Sequence, residues 1–200
     1  MKWRRFVVLG LLVLAFHGQA FGGQPGGGYI GFSLGQATFE DFCDGSESTC
    51  DDGAVSFRAY GGTRLTDVVS FELGYRFIDE IEASGVVNGD PLALGVEGHL
   101  FDTSVQLGVP ASGPLQVHTR VGLVLWHLNY EVFAIDRFGP FSVTDDDSGF
   151  ALRGGLGVTF DVSRSLRLRA DWDLYLDVGD RDEFGESDIN VFSVGPEFRF

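Results

Sequence analysis

The chain has 200 residues, enough for one domain with its own core, and carries a net charge of −15. An acidic balance of this size excludes nucleic-acid binding, which needs a basic footprint. All four histidines, both cysteines and the single lysine can be placed by eye, and the lysine, Lys2, lies in the first five residues.

Residues 1–20 read as a secretory signal peptide. Lys2, Arg4 and Arg5 precede an apolar run over 6–16, and Gly18 and Ala20 supply small residues for cleavage. The run is too short to span a bilayer as a helix, which takes about 20 apolar residues. Residues 21–27 are a glycine-rich, flexible lead-in, and 28–200 form the folded domain. Cys43 and Cys50 lie close together in FCDGSESTCDD. In an exported chain they read as a local disulfide. A metal site would need further ligands, and no histidine is near.

Period-two alternation predicts strands at about 28–38, 54–62, 68–78, 98–109, 115–128, 149–160, 165–176 and 189–200. In VSFELGYRF, Val69, Phe71, Leu73, Tyr75 and Phe77 share one face, and Glu72, Gly74 and Arg76 the other. In SLRLRADWDL, Leu166, Leu168, Ala170 and Trp172 oppose Arg167, Arg169, Asp171 and Asp173. The connections at 63–67, 110–114 and 161–164 are tight. Those near 39–53, 79–97, 129–148 and 177–188 are long and hold most of the acid, including Asp145, Asp146 and Asp147, then Asp177, Asp180, Asp182, Glu186 and Asp188. The fold class is all-β: an eight-stranded antiparallel up-and-down barrel with short turns at one end and long acidic loops at the other.

Which face points inward separates a soluble barrel from a membrane one. The polar face is rich in glycine and in charges of both signs (Gly31, Ser33, Gly35, Ser56, Arg58, Glu72, Gly74, Arg76, Arg120, Gly122), with no lysine. The apolar face carries large side chains on nearly every step. Tyr60, Phe77 and Phe160 border tight turns, as an interfacial girdle would. These features fit an inside-out barrel, because lipid admits β structure only when closure pairs every backbone group. Eight strands leave a lumen that side chains fill, and arginine's planar fork serves two carboxylates at once.

The residues also resemble a known family. HTRVGLVLWH (118–127) resembles the fifth strand of outer membrane protein A, and AYGGTRLTDVVSFELGY, LRLRADWDLYLDVGD and GESDINVFSVGPEFRF are similar to the small OmpA-like barrels of Gram-negative bacteria. The resemblance runs from about Tyr29 to Phe200, with the cysteine pair in the first long loop. It implies an outer-membrane barrel with periplasmic turns, extracellular loops and a lumen closed by an ion-pair network. Glu72 and Arg120 match inward charges of the family. Arg58, Arg76, Asp102, Arg153, Arg167, Arg169, Asp171 and Glu197 are further candidates by parity. Where the family carries an inward lysine on the fourth strand, this chain has Gln106, which argues against a salt-bridge gate through that position.

No catalytic, cofactor or metal residues emerge. There is no Gly-x-Ser-x-Gly, P-loop or His-Glu-x-x-His. Small barrels that deacylate lipid A present a lipid-facing His/Ser pair with a carboxylate. Here His99, His118 and His127 are scattered, no His-x-Ser occurs, and His118 is inward by parity. The aspartate clusters lack the spacing of a calcium loop. Loop carboxylates that meet divalent cations bridging lipopolysaccharide phosphates are the milder alternative.

The expected function is therefore a non-enzymatic outer-membrane barrel with a closed, charge-filled lumen, serving envelope integrity and surface interaction through its loops. A narrow channel, an adhesin or immune-evasion barrel, and a soluble lipocalin-like binder stay open as alternatives. Lipid, lipopolysaccharide and the barrel assembly machinery are the implied partners. The chain's last residues supply Ser193, Gly195, Phe198 and Phe200 in the pattern of an outer-membrane insertion signal. Pro196 removes a backbone donor there, which predicts a bulge or a missing ladder bond.

Overall fold

The computed structural model describes residues 27–40, 52–87, 90–136, 139–180 and 185–200. The signal peptide, nearly all of the lead-in, and Cys43 and Cys50 lie outside them. Eight strands run β1 Gly28–Phe39, β2 Gly53–Arg64, β3 Val69–Val87, β4 Asp90–Ser112, β5 Leu115–Asp136, β6 Gly139–Asp161, β7 Leu166–Asp180 and β8 Gly185–Arg199. Each pairs antiparallel with the next, and β8 returns to β1 to close the barrel.

The short turns are held by their own side chains. Thr66 Oγ1 accepts from the Val69 amide at 3.0 Å, and Ser163 Oγ accepts from the Leu166 amide at 3.1 Å. Gly113 occupies the third turn with φ 57°, a conformation that suits a residue without Cβ.

The long-loop expectation needs correction on one side of the barrel. Residues 79–97 and 129–148 are mostly strand: β3 and β4 are separated by two residues, as are β5 and β6. These four strands have 19, 23, 22 and 23 residues, against 12 to 15 for the others, so a sheet projects beyond the barrel rim. Asp145, Asp146 and Asp147 therefore lie on β6, not in a loop. A hairpin with water on both faces is held by ladder hydrogen bonds and has no apolar alternation to betray it.

Two bulges keep side chains inward where spacing alone would not. The register slips between Ile78 and Ile81 on β3 and between Tyr175 and Val178 on β7. Residues three apart fall on opposite faces of a regular strand; the extra residue restores both to the interior. Ile78, Ile81, Tyr175 and Val178 are all buried. Asp177, at φ 58°, absorbs the second distortion, and its amide donates to Asp188 Oδ1 at 3.0 Å.

The faces are inverted relative to a soluble protein. Arg58, Glu72 and Arg76 are 0% exposed, while Leu34 is 61% and Val121 67% exposed. Buried charge with an apolar exterior is stable only where the outside is lipid.

Candidate functional site

The lumen is filled in two layers. Towards the short-turn end lies a layer of ion pairs, in which six buried arginines (58, 76, 120, 153, 167 and 169) face Glu72, Asp102, Asp171, Asp173 and Glu197 among the described residues. Strand alternation aims each of them inward, and the barrel brings ion-pair partners as far as 97 positions apart in sequence into contact.

Glu72 is the hub. It accepts from Arg58 Nη2 at 2.9 Å, from Arg169 Nη1 at 2.7 Å and from the Tyr29 hydroxyl at 3.2 Å, with Arg120 Nη1 3.6 Å away. Asp102 takes Arg58 at 2.7 Å and also pairs with Arg153. Asp173 takes Arg76 at 2.9 Å and Arg153 at 2.8 Å. Asp171 joins Arg120, Arg169 at 2.8 Å and His118 Nε2 at 2.8 Å. Glu197 accepts from Arg169 at 3.1 Å and Arg167 at 3.3 Å, and Asp161 pairs with Arg167 at 2.8 Å near the rim. The structure thus brings all ten sequence candidates for the lumen into one connected network.

Several members lie outside that candidate set. Asp173 shares the parity of Asp171, so the alternation alone points to it. Tyr60 is a correction: it is not an interfacial girdle residue but lies inside, its ring 4.8 Å from the Arg58 guanidinium and 4.6 Å from that of Arg169. Both guanidinium groups are attracted by the ring's quadrupole. Glycine makes the room: Gly31, opposite Tyr60, and Gly62, opposite Tyr29, each leave their partner's ring where a Cβ would sit. Tyr175 is a further lumen aromatic, its hydroxyl accepting from Arg76 Nε at 2.9 Å. Phe77 is also corrected: it lies in the middle of β3, eight residues from Val69, whereas Phe160 does border a tight turn. Gln106, at the position of the family's lysine, accepts from Arg169 Nη2 at 3.1 Å. It gives Arg169 a neutral partner and offers no cation to exchange.

Above this layer the lumen turns apolar. Ala37, Ile78, Ile81, Leu100, Val124, Trp126, Leu128, Ile189 and Val191 form one buried cluster at the long-hairpin end. The charge-filled lumen expected from parity thus occupies one layer, and an apolar layer lies above it. Small alternating stretches hide this, because inward and outward positions of the upper strands are both apolar.

The exported reading ends at the seam. Ser193 is buried, Phe198 and Phe200 are exposed on the outer face, and the Phe200 amide donates to the Gly28 carbonyl at 3.0 Å. Pairing of β1 with β8 lapses where Phe32 and Ser33 face Gly195 and Pro196, then resumes in the same register, so a ladder gap and not a bulge answers the proline.

Among the described residues, no group of three or more His, Cys, Asp or Glu is arranged to hold a metal ion. The outer membrane protein beta-barrel domain family matches residues 6–200. The chain belongs to that family. Outer membrane protein A of Shigella flexneri is 26% identical over 176 residues, covering 86% of this chain and 48% of the relative. That of Klebsiella pneumoniae is 26% identical over 185 residues, covering 86% and 50%. The chain spans about half the length of these curated relatives. Among solved structures, Neisserial surface protein A superposes with a TM-score of 0.60 at 14% identity, covering 86% of this chain and 97% of that one. The attachment invasion locus protein Ail of Yersinia pestis gives 0.56 at 11%, covering 88% and 99%. Both likenesses show the fold. This family member is an OmpA-like eight-stranded barrel of the bacterial outer membrane.

Proposed function

We propose that this family member is a closed-lumen barrel with a structural role in envelope integrity. The observation that carries it is the double filling of the lumen. A permeating ion would have to break the Glu72-centred pairs and then cross the dry cluster around Leu100, Val124 and Trp126. Each step opposes conduction for a different reason: the first by competing with satisfied charges, the second by desolvation. Lipid and lipopolysaccharide surround the barrel on this reading, and the assembly machinery inserts it through its C-terminal strand after export by residues 1–20.

Planar-bilayer recording of the purified full chain tests the closed lumen; steady, large openings would overturn it. Detergent sensitivity of cells lacking the chain tests the envelope role. Sensitivity equal to that of the parent strain would remove it.

A second reading, surface attachment, is favoured by the projecting sheet. Ail is the attachment invasion locus protein of Yersinia pestis and has been crystallised with a heparin analogue, sucrose octasulfate. The sheet here carries Asp79, Glu80, Glu97, Glu131, Asp145, Asp146 and Asp147, which would repel a sulfated polyanion. An attachment partner of this chain would therefore be cationic. Binding of whole cells to immobilised heparin in preference to a polycation would refute that.

A further inference from the structure

The lipid-facing surface has a polar interruption that the lumen does not explain. His99 on β4, His127 on β5 and Ser148 on β6 stand in one cross-strand row, His99 opposite His127 and His127 opposite Ser148. Sequence inspection finds these histidines scattered and finds no His-x-Ser; the sheet makes His127 and Ser148 neighbours although they are 21 residues apart. The Ser148 hydroxyl lies 2.7 Å from His127 Nδ1, within reach for proton transfer. The His127 ring stacks on His99, with centroids 6.2 Å apart and an interplanar angle of 25°. His99 is itself held at both nitrogens, Nδ1 by the Tyr75 hydroxyl at 2.8 Å and Nε2 by the Glu97 carboxylate at 3.2 Å. With Glu97 ionised, Nε2–H donates to it and Nδ1 accepts from Tyr75. The stack therefore rests on a fixed ring.

Beside the pair runs a groove of about 540 Å³, walled by Tyr75, Phe101 and Leu125 with His127 and Ser148 at its edge. Its walls are mostly hydrocarbon, as an acyl chain requires. Its height is also right. His127 lies twelve residues along β5 from Leu115, which for a strand tilted about 40° is a rise of roughly 30 Å, the thickness of the hydrocarbon layer. The ester linkages of outer-leaflet lipids sit at that boundary, so a chain in the groove would bring its carbonyl to Ser148.

We propose that Ser148 and His127 form a lipid-facing acyl-ester hydrolase site, an activity separate from the lumen's structural role. Ser148 Oγ bonds to the ester carbonyl carbon as His127 Nδ1 takes its proton. The ester C–O bond then breaks, and His127 returns that proton to the departing alcohol. Water from the interface attacks the acyl-serine, giving its proton to His127, which passes it back to Ser148 as the fatty acid leaves. Atoms balance as ester plus water to acid plus alcohol.

The test uses the full chain refolded into vesicles of either phospholipid or lipopolysaccharide. Fatty-acid release is followed by mass spectrometry, and a fluorophosphonate probe is mapped by peptide mass spectrometry. The proposal predicts probe on Ser148 and release from at least one lipid, with the difference between vesicles identifying the ester source. Ser148→Ala and His127→Phe lower release about 100-fold, the scale of losing general acid–base assistance. Ser148 is exposed, so both variants keep the heat-modifiable migration of a folded barrel. Absence of probe at Ser148 together with release unchanged in Ser148→Ala overturns the proposal, as does no release from either vesicle.

Discussion

Replacing Glu72 with glutamine tests the lumen network at its hub. Each carboxylate oxygen has its own short arginine bond: Oε1 takes Arg58 at 2.9 Å, with Arg169 Nη2 at 3.4 Å, while Oε2 takes Arg169 Nη1 at 2.7 Å and Tyr29 at 3.2 Å. A glutamine of the same shape keeps one acceptor and turns an N–H₂ against the other arginine in either orientation. The variant also leaves six buried arginines facing four buried acids instead of five. Removing one partner of a buried pair costs about 3–5 kcal/mol, because the stranded charge stays desolvated. Urea titration of the barrel in lipid vesicles should show this loss, roughly a hundred- to several-thousand-fold in the unfolding equilibrium. The double variant Glu72→Gln with Arg169→Gln should lose less than the sum of the singles, since the two residues are bonded to each other. Conductance should stay low in both, because the apolar layer above is intact. A single-variant loss under about 0.5 kcal/mol would refute the claim that these pairs carry the lumen's stability.

The remaining predictions address the other devices. Leu100→Ala, in the apolar layer, should cost about 2–5 kcal/mol by urea titration through the cavity it leaves. Gly31→Val should push the Tyr60 ring off Arg58 and Arg169, costing about 1–3 kcal/mol, read as an earlier midpoint in the same titration. Gln106→Lys should set an ammonium against Arg169 and lower the urea midpoint, while bilayer recordings stay silent; frequent openings would show that this position can gate. Deleting Phe200 removes the Gly28 contact and an outward aromatic at the seam, and should lower outer-membrane levels measured by fractionation.

The short-turn halves of the strands were legible because each separates apolar from charged residues by parity, and a period of two leaves only two choices of face. Arg58, Glu72 and Asp171 could be aimed inward from that alternation alone. Tyr60 could not, because an aromatic near a turn suits both the girdle and the lumen. Its true place depends on Gly31 across the pair and on two arginines from other strands. The projecting hairpins escaped notice because water on both faces demands no apolar pattern.

Alternation and the absence of lysine beyond Lys2 determined by themselves that this chain is an inside-out, eight-stranded membrane barrel, since burial against lipid leaves that signature on every strand. Tertiary structure alone decided which charges meet, that a dry layer caps them, and that His127 and Ser148 touch. Those facts depend on register across strands and on closure of β8 against β1, and pairing between residues tens of positions apart has no local trace in the chain.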